Sequence, residues 1–164
     1  MTQQLCPCGS KKQYQYCCGM YLSGKKKPAT AEKLMRSRYT AFYQGNVDYL
    51  LNTLHPGQRK PEDRAELTKS IEQTKWLGLS IISTQKGKKN DSSGIVEFEA
   101  IYHLKQPGQL HERSRFVKVN GQWFYVDGDI LPGTIPPTKA LCWCQSGKKY
   151  KQCHGASVVG QIGR

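Results

Sequence analysis

The fold class follows from residues 95–105, which read IVEFEAIYHLK. Apolar and polar side chains alternate along this stretch, and a period of two is typical of a β-strand with one buried face. One face carries Val96, Phe98, Ala100 and Tyr102, and the other carries Ile95, Glu97, Glu99 and Ile101. A half-buried strand is therefore predicted here, and the chain on either side is expected to supply the rest of its sheet.

Three further strands are predicted around it, at residues 77–85, 111–119 and 123–126. A polar loop, residues 86–94, separates the first two strands of the series. Pro107-Gly108 is expected to turn the chain, and Asn120-Gly121 is a strong signal for a two-residue hairpin turn. The pattern therefore predicts a run of antiparallel strands.

Ahead of the strands, the apolar period is that of a helix. Residues 31–44 form the clearest segment, with Thr30 as its predicted N-cap. Gly45-Asn46 interrupts it, residues 47–54 add a second short helix, and Pro61 is predicted as the first position of a third. Helices followed by antiparallel strands indicate an α+β domain, a cone of N-terminal helices packed on a curved sheet.

Two matched groups of cysteines lie at opposite ends of the chain, and together they hold all seven cysteines. In each group a Cys-x-Cys pair is followed, after eight residues, by two adjacent ligand-type residues. Four thiolates, or three thiolates and one imidazole, are common ligand sets of structural zinc. We therefore predict two structural zinc ions, held by Cys6, Cys8, Cys17 and Cys18, and by Cys142, Cys144, Cys153 and His154.

Disulfides and redox chemistry are the alternatives to metal binding. An odd cysteine count and the adjacent Cys17-Cys18 fit a disulfide framework poorly, and the Cys-x-x-Cys spacing of a redox motif is absent. No signal peptide follows Met1 and no apolar run has the length of a membrane span, so a cytoplasmic protein without a membrane partner is expected.

The positive charge of the chain, formally +13, is concentrated at its ends. Residues 1–28 and 138–164 each hold five Lys or Arg and no acid, so we predict zinc modules there and a central domain at 29–137. The modules are expected to be exposed basic knobs that bind an acidic protein, although the lysines could serve solubility alone. Nucleic acid remains possible, but the modules lack an interleaved aromatic platform. The predicted partner-binding residues are Lys11, Lys12, Lys148, Lys149 and Lys151.

The central cone is expected to enclose a pocket that could hold a small ligand. Its candidate polar residues are Arg36, Arg38, Tyr39, Trp76, Glu97, Glu99, Arg113, Arg115 and Asp127. Those on the strands could bind an anionic substrate, but a solvent-facing ladder of ion pairs is favoured, because half-buried strands carry polar residues outward. His111 is expected to be exposed. No Ser-His-Asp order, P-loop or dinucleotide fingerprint occurs, so no catalytic residue is assigned and an enzyme is not favoured.

Several motifs resemble known families. The paired cysteine loops are similar to SEC-C motifs, the zinc-binding element also found at the C-terminus of the preprotein translocase motor ATPase. The order of elements and the phrase Tyr39-x-x-Phe42-x-x-Gly45-Asn46-x-x-x-Leu50 resemble the nuclear-transport-factor-2-like superfamily. Three stretches resemble the YchJ-like family of bacterial proteins: residues 34–42 (LMRSRYTAF), 112–116 (ERSRF) and 120–128 (NGQWFYVDG).

These resemblances imply a cone fold between two zinc modules, and they imply no particular activity. In the second module Trp143-Cys144-Gln145 replaces the usual Pro-Cys-Gly. This difference affects the expected geometry of the turn, and it leaves the predicted metal ligands unchanged. The favoured hypothesis is a zinc-binding adaptor whose terminal modules recruit a macromolecular partner. The alternatives are an enzyme or small-ligand binder that uses the cone pocket, and a nucleic-acid-binding protein.

Overall fold

The computed structural model describes residues 4–105, 107–133, 139–142 and 146–153. Within these ranges, helices precede strands, which confirms the predicted α+β class. None of the described helices is long and apolar enough to cross a membrane. Single 3-10 turns lie at Tyr14–Tyr16, Pro56–Gln58 and Tyr150–Gln152. The helices are α1 (Cys18–Leu22), α2 (Ala31–Gln44), α3 (Val47–Asn52) and α4 (Asp63–Gln73), and the strands are β1 (Lys75–Lys86), β2 (Ser93–His103), β3 (Pro107–Val119) and β4 (Gln122–Leu131).

The four strands form one antiparallel sheet in chain order, β1-β2-β3-β4. The link from β3 to β4 is the predicted two-residue hairpin turn, in which Asn120 and Gly121 have φ values of 49° and 76°. A type I′ turn requires φ above zero at both central residues, so the Asn-Gly pair suits it. The sheet thus has two faces, and the helices pack against the one that carries Val96, Phe98 and Ala100.

Helix α2 has the bounds that the sequence predicts. Thr30 caps its N-terminus, where the side-chain oxygen accepts a hydrogen bond from the backbone N–H of Lys33 at 3.2 Å. Gly45 ends it in the left-handed conformation, a common way for a helix to terminate. Helix and caps are therefore set by local residues.

The start of α2 is fastened to the sheet by two hydrogen bonds. The backbone N–H of Ala31 donates to the carbonyl of Gly87, in the β1–β2 loop, at 2.9 Å. The indole Nε1–H of Trp123, on β4, donates to the carbonyl of Ala29 at 3.1 Å. Because Trp123 is almost fully buried, this bond holds the helix start against the far strand of the sheet.

The core lies between α2 and the concave face of the sheet. It joins apolar side chains of the helix to those of all four strands. Three cysteines of the N-terminal segment belong to the same cluster, so that segment and the cone share one core. The buried members are Cys6, Cys8, Cys18, Ala31, Leu34, Met35, Tyr39, Leu79, Val96, Phe98, Ala100, Phe116 and Trp123.

Several element boundaries differ from the sequence prediction, among them the end of β4, which lies at Leu131 instead of residue 126. Helix α4 begins at Asp63, and Pro61 lies in the preceding turn, which the Asp63 carboxylate closes by accepting from the Lys60 N–H at 2.8 Å. Strand β3 begins at Pro107, so the predicted turn at Pro107-Gly108 is wrong. The pairing of β3 with β2 continues to Pro107, which lies opposite His103. Proline and glycine have low strand propensity, but here the neighbouring strand β2 is long enough to pair with them.

Candidate metal centre and central cavity

The four N-terminal cysteines lie together. The sulfur atoms of Cys6, Cys8, Cys17 and Cys18 are all within 4.8 Å of one another, and Cys17 alone of the four is not buried. The Sγ atoms of Cys8 and Cys17 are 3.6 Å apart. Tetrahedral zinc with Zn–S bonds of ~2.3 Å requires ligand sulfurs about 3.8 Å apart, so these positions fit one zinc ion. We call this group the N-terminal thiol cluster.

A small hairpin and a helical turn bring the thiol cluster together. The backbone N–H of Cys6 donates to the carbonyl of Lys12 at 2.7 Å and closes the loop that carries Cys6 and Cys8. The 3-10 turn and α1 then return Cys17 and Cys18 to it. The Ser10 hydroxyl lies 3.2 Å from the Cys17 sulfur, a second-sphere contact that helps to orient a ligand.

The thiol cluster packs against α2. The Nη1–H of Arg36 donates to the carbonyl of Cys8 at 2.7 Å, and its Nε–H donates to Glu32 at 2.9 Å. The Thr40 hydroxyl lies 3.9 Å from the Cys6 sulfur. Arg36, a candidate for the pocket, therefore binds the N-terminal loop instead. At this end the lysines are exposed, as the predicted basic knob requires. Cys6, Cys8 and Cys18 are nevertheless buried in the same core as α2 and β1, so the segment does not stand apart from the cone.

The loop also needs a glycine at position 9. Gly9 has a φ of 75°, and a Cβ on it would lie 2.8 Å from the carbonyl oxygen of Leu79 in β1. A side chain there would separate the loop from the sheet. The loop and the cone thus approach each other closely enough that only glycine fits.

The thiols of the cluster interact strongly with each other. Hydrogen bonds from Cys18 and Cys6 lower the pKa of the Cys8 thiol, and the hydrogen bonds with Cys6 and Cys8 raise the pKa of the Cys18 thiol. The thiolate is the form that binds metal. The cluster therefore favours the loss of the first proton that metal binding requires.

The C-terminal copy repeats this backbone. Cys142 N–H donates to the carbonyl of Lys148 at 2.8 Å, and Ser146 lies 3.5 Å from the Cys153 sulfur, as Ser10 lies near Cys17. Gly147 takes the left-handed conformation of its counterpart Lys11, and the 3-10 turn Tyr150–Gln152 matches Tyr14–Tyr16. The sequence repeat is thus a structural repeat. The other two predicted ligands, Cys144 and His154, lie outside the described residues.

A cavity of about 500 Å³ lies between α2, α3, α4 and the concave face of the sheet. Of the nine pocket candidates, Arg38, Tyr39 and Trp76 line it. Most of the wall is apolar or aromatic, and the polar groups are few. The lining residues are Met35, Arg38, Tyr39, Phe42, Leu50, Leu54, Asp63, Glu66, Leu67, Ser70, Trp76, Phe98, Ala100, Leu110, Glu112, Ser114 and Tyr125.

Arg38 is the one arginine or lysine among these lining residues. It is 7 % exposed, and its Nη1–H groups donate to the carbonyl of Leu50 at 2.8 Å and to the hydroxyl of Thr53 at 2.7 Å. The guanidinium carbon also lies 4.6 Å from the centre of the Tyr125 ring. Burial lowers the pKa of Arg38 to about 10, so the side chain stays cationic at neutral pH.

A carboxylate that the sequence analysis missed lies in the same cavity. Glu112, on β3, accepts hydrogen bonds from the hydroxyls of Ser114 at 2.7 Å and Tyr125 at 3.2 Å. A Cβ on Gly128 of β4 would overlap this carboxylate, so the glycine makes room for it. One signal was available: Glu112 alternates with Ser114 and the buried Phe116, which places an acid in the apolar register of a strand.

Aromatic rings form the end of the cavity around Trp76. The Tyr39 and Tyr102 rings make edge contacts with it at 5.8 Å, and the Phe42 ring lies 6.0 Å away. The buried indole Nε1 of Trp76 has no hydrogen-bond partner among the described residues. A buried donor without a partner is uncommon, and it marks a place where a ligand or a water can be bound.

The other strand candidates lie on the opposite face of the sheet. Glu97 forms an ion pair with Arg113 at 3.1 Å, while Arg115 forms ion pairs with Asp127 and Asp129. Because successive strand residues point to opposite faces, these side chains and Glu99 cannot reach the cavity. The favoured interpretation as an ion-pair ladder is confirmed for the paired residues.

His111 differs from its prediction as an exposed strand residue. It is 8 % exposed, and its Nδ1 and Nε2 atoms lie 2.7 Å from the carbonyl of Pro132 and 2.9 Å from the carboxylate of Glu97. The contact with Pro132 and the ion pair with Glu97 raise the pKa of His111. The residues after β4 therefore cover a ring that its strand alone would leave exposed.

Comparison with known proteins places this arrangement in context. The pattern of "YchJ, middle NTF2-like domain" matches residues 30–128, and the SEC-C motif pattern matches residues 139–156. A UPF0225 protein of Photorhabdus laumondii is 43 % identical over 159 residues, which covers 93 % of this chain and 99 % of the relative. A UPF0225 protein of Serratia proteamaculans is 42 % identical over 155 residues, at 93 % and 98 % coverage.

Two solved structures share the fold. The solution structure of a SEC-C motif containing protein from Rhodopseudomonas palustris is 33 % identical, with a TM-score of 0.72 over 79 % of this chain and 100 % of that one. The crystal structure of a SEC-C motif containing protein from Psychrobacter arcticus is 30 % identical, with a TM-score of 0.66 over 93 % and 96 %.

Proposed function

Because the chain belongs to the UPF0225 family, with its YchJ-type middle domain and a SEC-C motif, we propose that it is a zinc-binding adaptor. In this proposal the terminal modules each hold a structural zinc ion and recruit an acidic protein partner to the central cone. The main support is the N-terminal thiol cluster, whose four sulfurs lie within 4.8 Å of one another.

A structural role for the ion fits the donor set. Four thiolates complete the tetrahedron that zinc prefers, so no position remains for water or substrate. The chemistry that the ion supplies is the cross-linking of a loop too small to fold by itself. Arg36 and Thr40 hold that loop on α2, and Cys142 and Cys153 occupy equivalent positions in the C-terminal copy.

Exposed lysines support the recruitment of an acidic partner. Among the described residues, each module shows its lysines to solvent, and neither terminal segment contains an acidic residue. Because the two backbones repeat each other, equivalent lysines such as Lys12 and Lys148 are presented in the same way. The proposed partner-binding residues, all exposed, are Lys11, Lys12, Lys148, Lys149 and Lys151.

The test exchanges these five lysines for glutamate and compares recovery of a partner from lysate with that of the unaltered chain. A matched control exchanges five exposed lysines of the central domain, Lys60, Lys69, Lys75, Lys88 and Lys89. The module variant should lose the partner and keep its zinc, measured by elemental analysis, while the control keeps both. Equal recovery by both variants would contradict recruitment through the modules, and loss of the partner on nuclease treatment would identify nucleic acid instead.

A second candidate function is the binding of a small ligand in the central cavity. The observation that favours it is a volume of about 500 Å³ walled mainly by apolar side chains, with Arg38 and Glu112 among its few charged lining residues. Volumes of this order and few, fixed polar groups are typical of small-molecule sites. Filling the cavity by Ala100→Leu should abolish any ligand binding without loss of the fold.

A further inference from the structure

The central cavity carries charge of the opposite sign to the chain around it. The chain has a formal net charge of +13, yet the charged residues among those that line the cavity are one arginine, Arg38, and three carboxylates, Asp63, Glu66 and Glu112. We infer that the cavity binds a small organic amine, with an apolar body inside and an ammonium group at the entrance beside Asp63 and Glu66. This inference rests on the second candidate function.

The inner face of α4 supplies the two carboxylates. Asp63, Glu66, Leu67 and Ser70 line the cavity, and their spacing of three, four and seven residues puts them on one side of the helix. A helix normally turns an apolar stripe to its protein and charges to solvent. In α4 the stripe that lines the cavity contains two acids, while the basic Lys69 lies outside the lining set.

These carboxylates form the entrance of the cavity. Glu66 and Ser70 are exposed even though they line it, so this side of α4 faces solvent. Among the described residues, neither Asp63 nor Glu66 forms an ion pair. Their place in the first turn of α4 makes two acids tolerable, because the helix dipole favours negative charge there, but it does not neutralise them.

Deeper in the cavity, the charges are more nearly balanced. Arg38 lies over the Tyr125 ring, and the hydroxyl of the same tyrosine donates to Glu112. The cation and the carboxylate therefore share one partner and offset each other. The unbalanced negative charge is left at the entrance, and it selects a ligand whose positive group lies there.

The walls suit the rest of such a ligand. Phe42, Leu54 and Leu67 offer apolar surface, and the faces of aromatic rings attract cations at distances of up to ~6 Å. An anion of the same shape would be repelled by the carboxylates of Asp63 and Glu66, and a neutral molecule would form no ion pair with either of them. The overall positive field acts in the opposite sense, but salt at about 0.15 M screens it beyond ~8 Å.

The experiment compares three probes that share one aromatic ring and differ in charge: phenethylamine, phenylacetate and ethylbenzene. Binding to the zinc-loaded full chain is followed by calorimetry and by NMR shifts of backbone and indole N–H signals, including that of Trp76. We expect the amine to bind at least about fivefold more tightly than the carboxylate at ~0.15 M salt.

Two variants locate the preference. Asp63→Asn with Glu66→Gln keeps side-chain shape, and asparagine can still accept the Lys60 N–H; this double variant should weaken amine binding about fivefold and leave phenylacetate binding no weaker. Glu72→Gln removes one negative charge, where the double variant removes two, from an exposed site of α4 outside the cavity lining, and should change amine binding less than twofold.

The outcomes separate the inference from the function on which it rests. Equal binding of all three probes at the cavity would refute the amine preference and leave small-ligand binding intact. Tighter binding of phenylacetate, or an equal effect of Glu72→Gln, would also refute it. Absence of binding by every probe would refute both, and because the unaltered chain provides that result, it does not depend on the folding of any variant.

Discussion

The substitution Arg38→Met is expected to change ligand binding in the cavity while leaving the stability of the fold nearly unchanged. Burial lowers the Arg38 pKa from 12.5 to about 10, which corresponds to a cost of ~3 kcal/mol for the charged form. Its hydrogen bonds to Leu50 and Thr53 contribute roughly 1.5–3 kcal/mol each, and its contact with the Tyr125 ring about 1 kcal/mol. The favourable and unfavourable contributions therefore differ by a few kcal/mol at most.

Methionine replaces most of what the arginine contributes. Its apolar side chain recovers about 1–2 kcal/mol of burial in an apolar wall. No hydrogen-bond partner is left unpaired, because the Thr53 hydroxyl also donates to the Tyr49 carbonyl at 2.7 Å, and the Leu50 carbonyl also accepts the Leu54 N–H at 3.1 Å. Glu112 loses a nearby cation but keeps the hydrogen bonds from the hydroxyls of Ser114 and Tyr125. We expect the free energy of unfolding to change by less than about 1.5 kcal/mol and the Tm by less than about 5 °C.

Calorimetric unfolding measures this change, and Arg38→Ala is the matched control. Alanine removes the charge and the volume together, so it should cost about 2–4 kcal/mol. In the probe assay, Arg38→Met should strengthen amine binding and weaken phenylacetate binding. A Tm lowered by more than about 10 °C would show that Arg38 is a structural tie between α2 and α3, and would refute the expectation that methionine can replace it.

Two further predictions concern stability. Chelation should unfold the N-terminal loop and leave the central domain, residues 29–137, folded, but it should lower the Tm of that domain by several degrees, because the thiol cluster belongs to its core. Amide exchange and calorimetry would detect these changes, and an unchanged Tm would contradict the shared core. The pKa of His111 is higher in the folded protein than in the unfolded chain, where it is ~6.5, so the protonated ring stabilises the folded state. This contribution is complete below the unfolded pKa and is lost as the pH rises through the folded pKa. Unfolding between pH 5.5 and 8 should thus show a decline in stability that His111→Gln reduces, and an unaltered pH dependence in that variant would speak against the ring's contacts with Glu97 and Pro132.

Local features were predictable because neighbours in the chain create them. The bounds of α2 depend on a cap at Thr30 and a left-handed Gly45, and the last hairpin on Asn120-Gly121. The cysteine repeat belongs to the same class, since the loop from Cys6 to Lys12 closes on itself. Periodicity also separated the faces of β2 correctly.

The cavity was predicted only in part. Arg38, Tyr39 and Trp76 were identified. On β3, however, the predicted residues were Arg113 and Arg115, whereas Glu112 and Ser114, which alternate with them, line the cavity. Alternation shows that the two sets lie on different faces. The helices pack on the face of β3 that carries Phe116, and Glu112 lies on that same face, so it lines the cavity. Such packing joins segments that are far apart in the chain.

The amino-acid sequence was sufficient for the order of the elements, their periods and the grouping of the four N-terminal cysteines, because each depends on residues within about a dozen positions. The docking of the thiol cluster on α2, the cover over His111 and the extension of β3 back to Pro107 each depend on contacts between distant segments. Burial and hydrogen bonding across such distances exist only once the chain has folded. The position of Asp63 and Glu66 at the cavity also depends on tertiary structure, because it requires α4 to lie beside the cone.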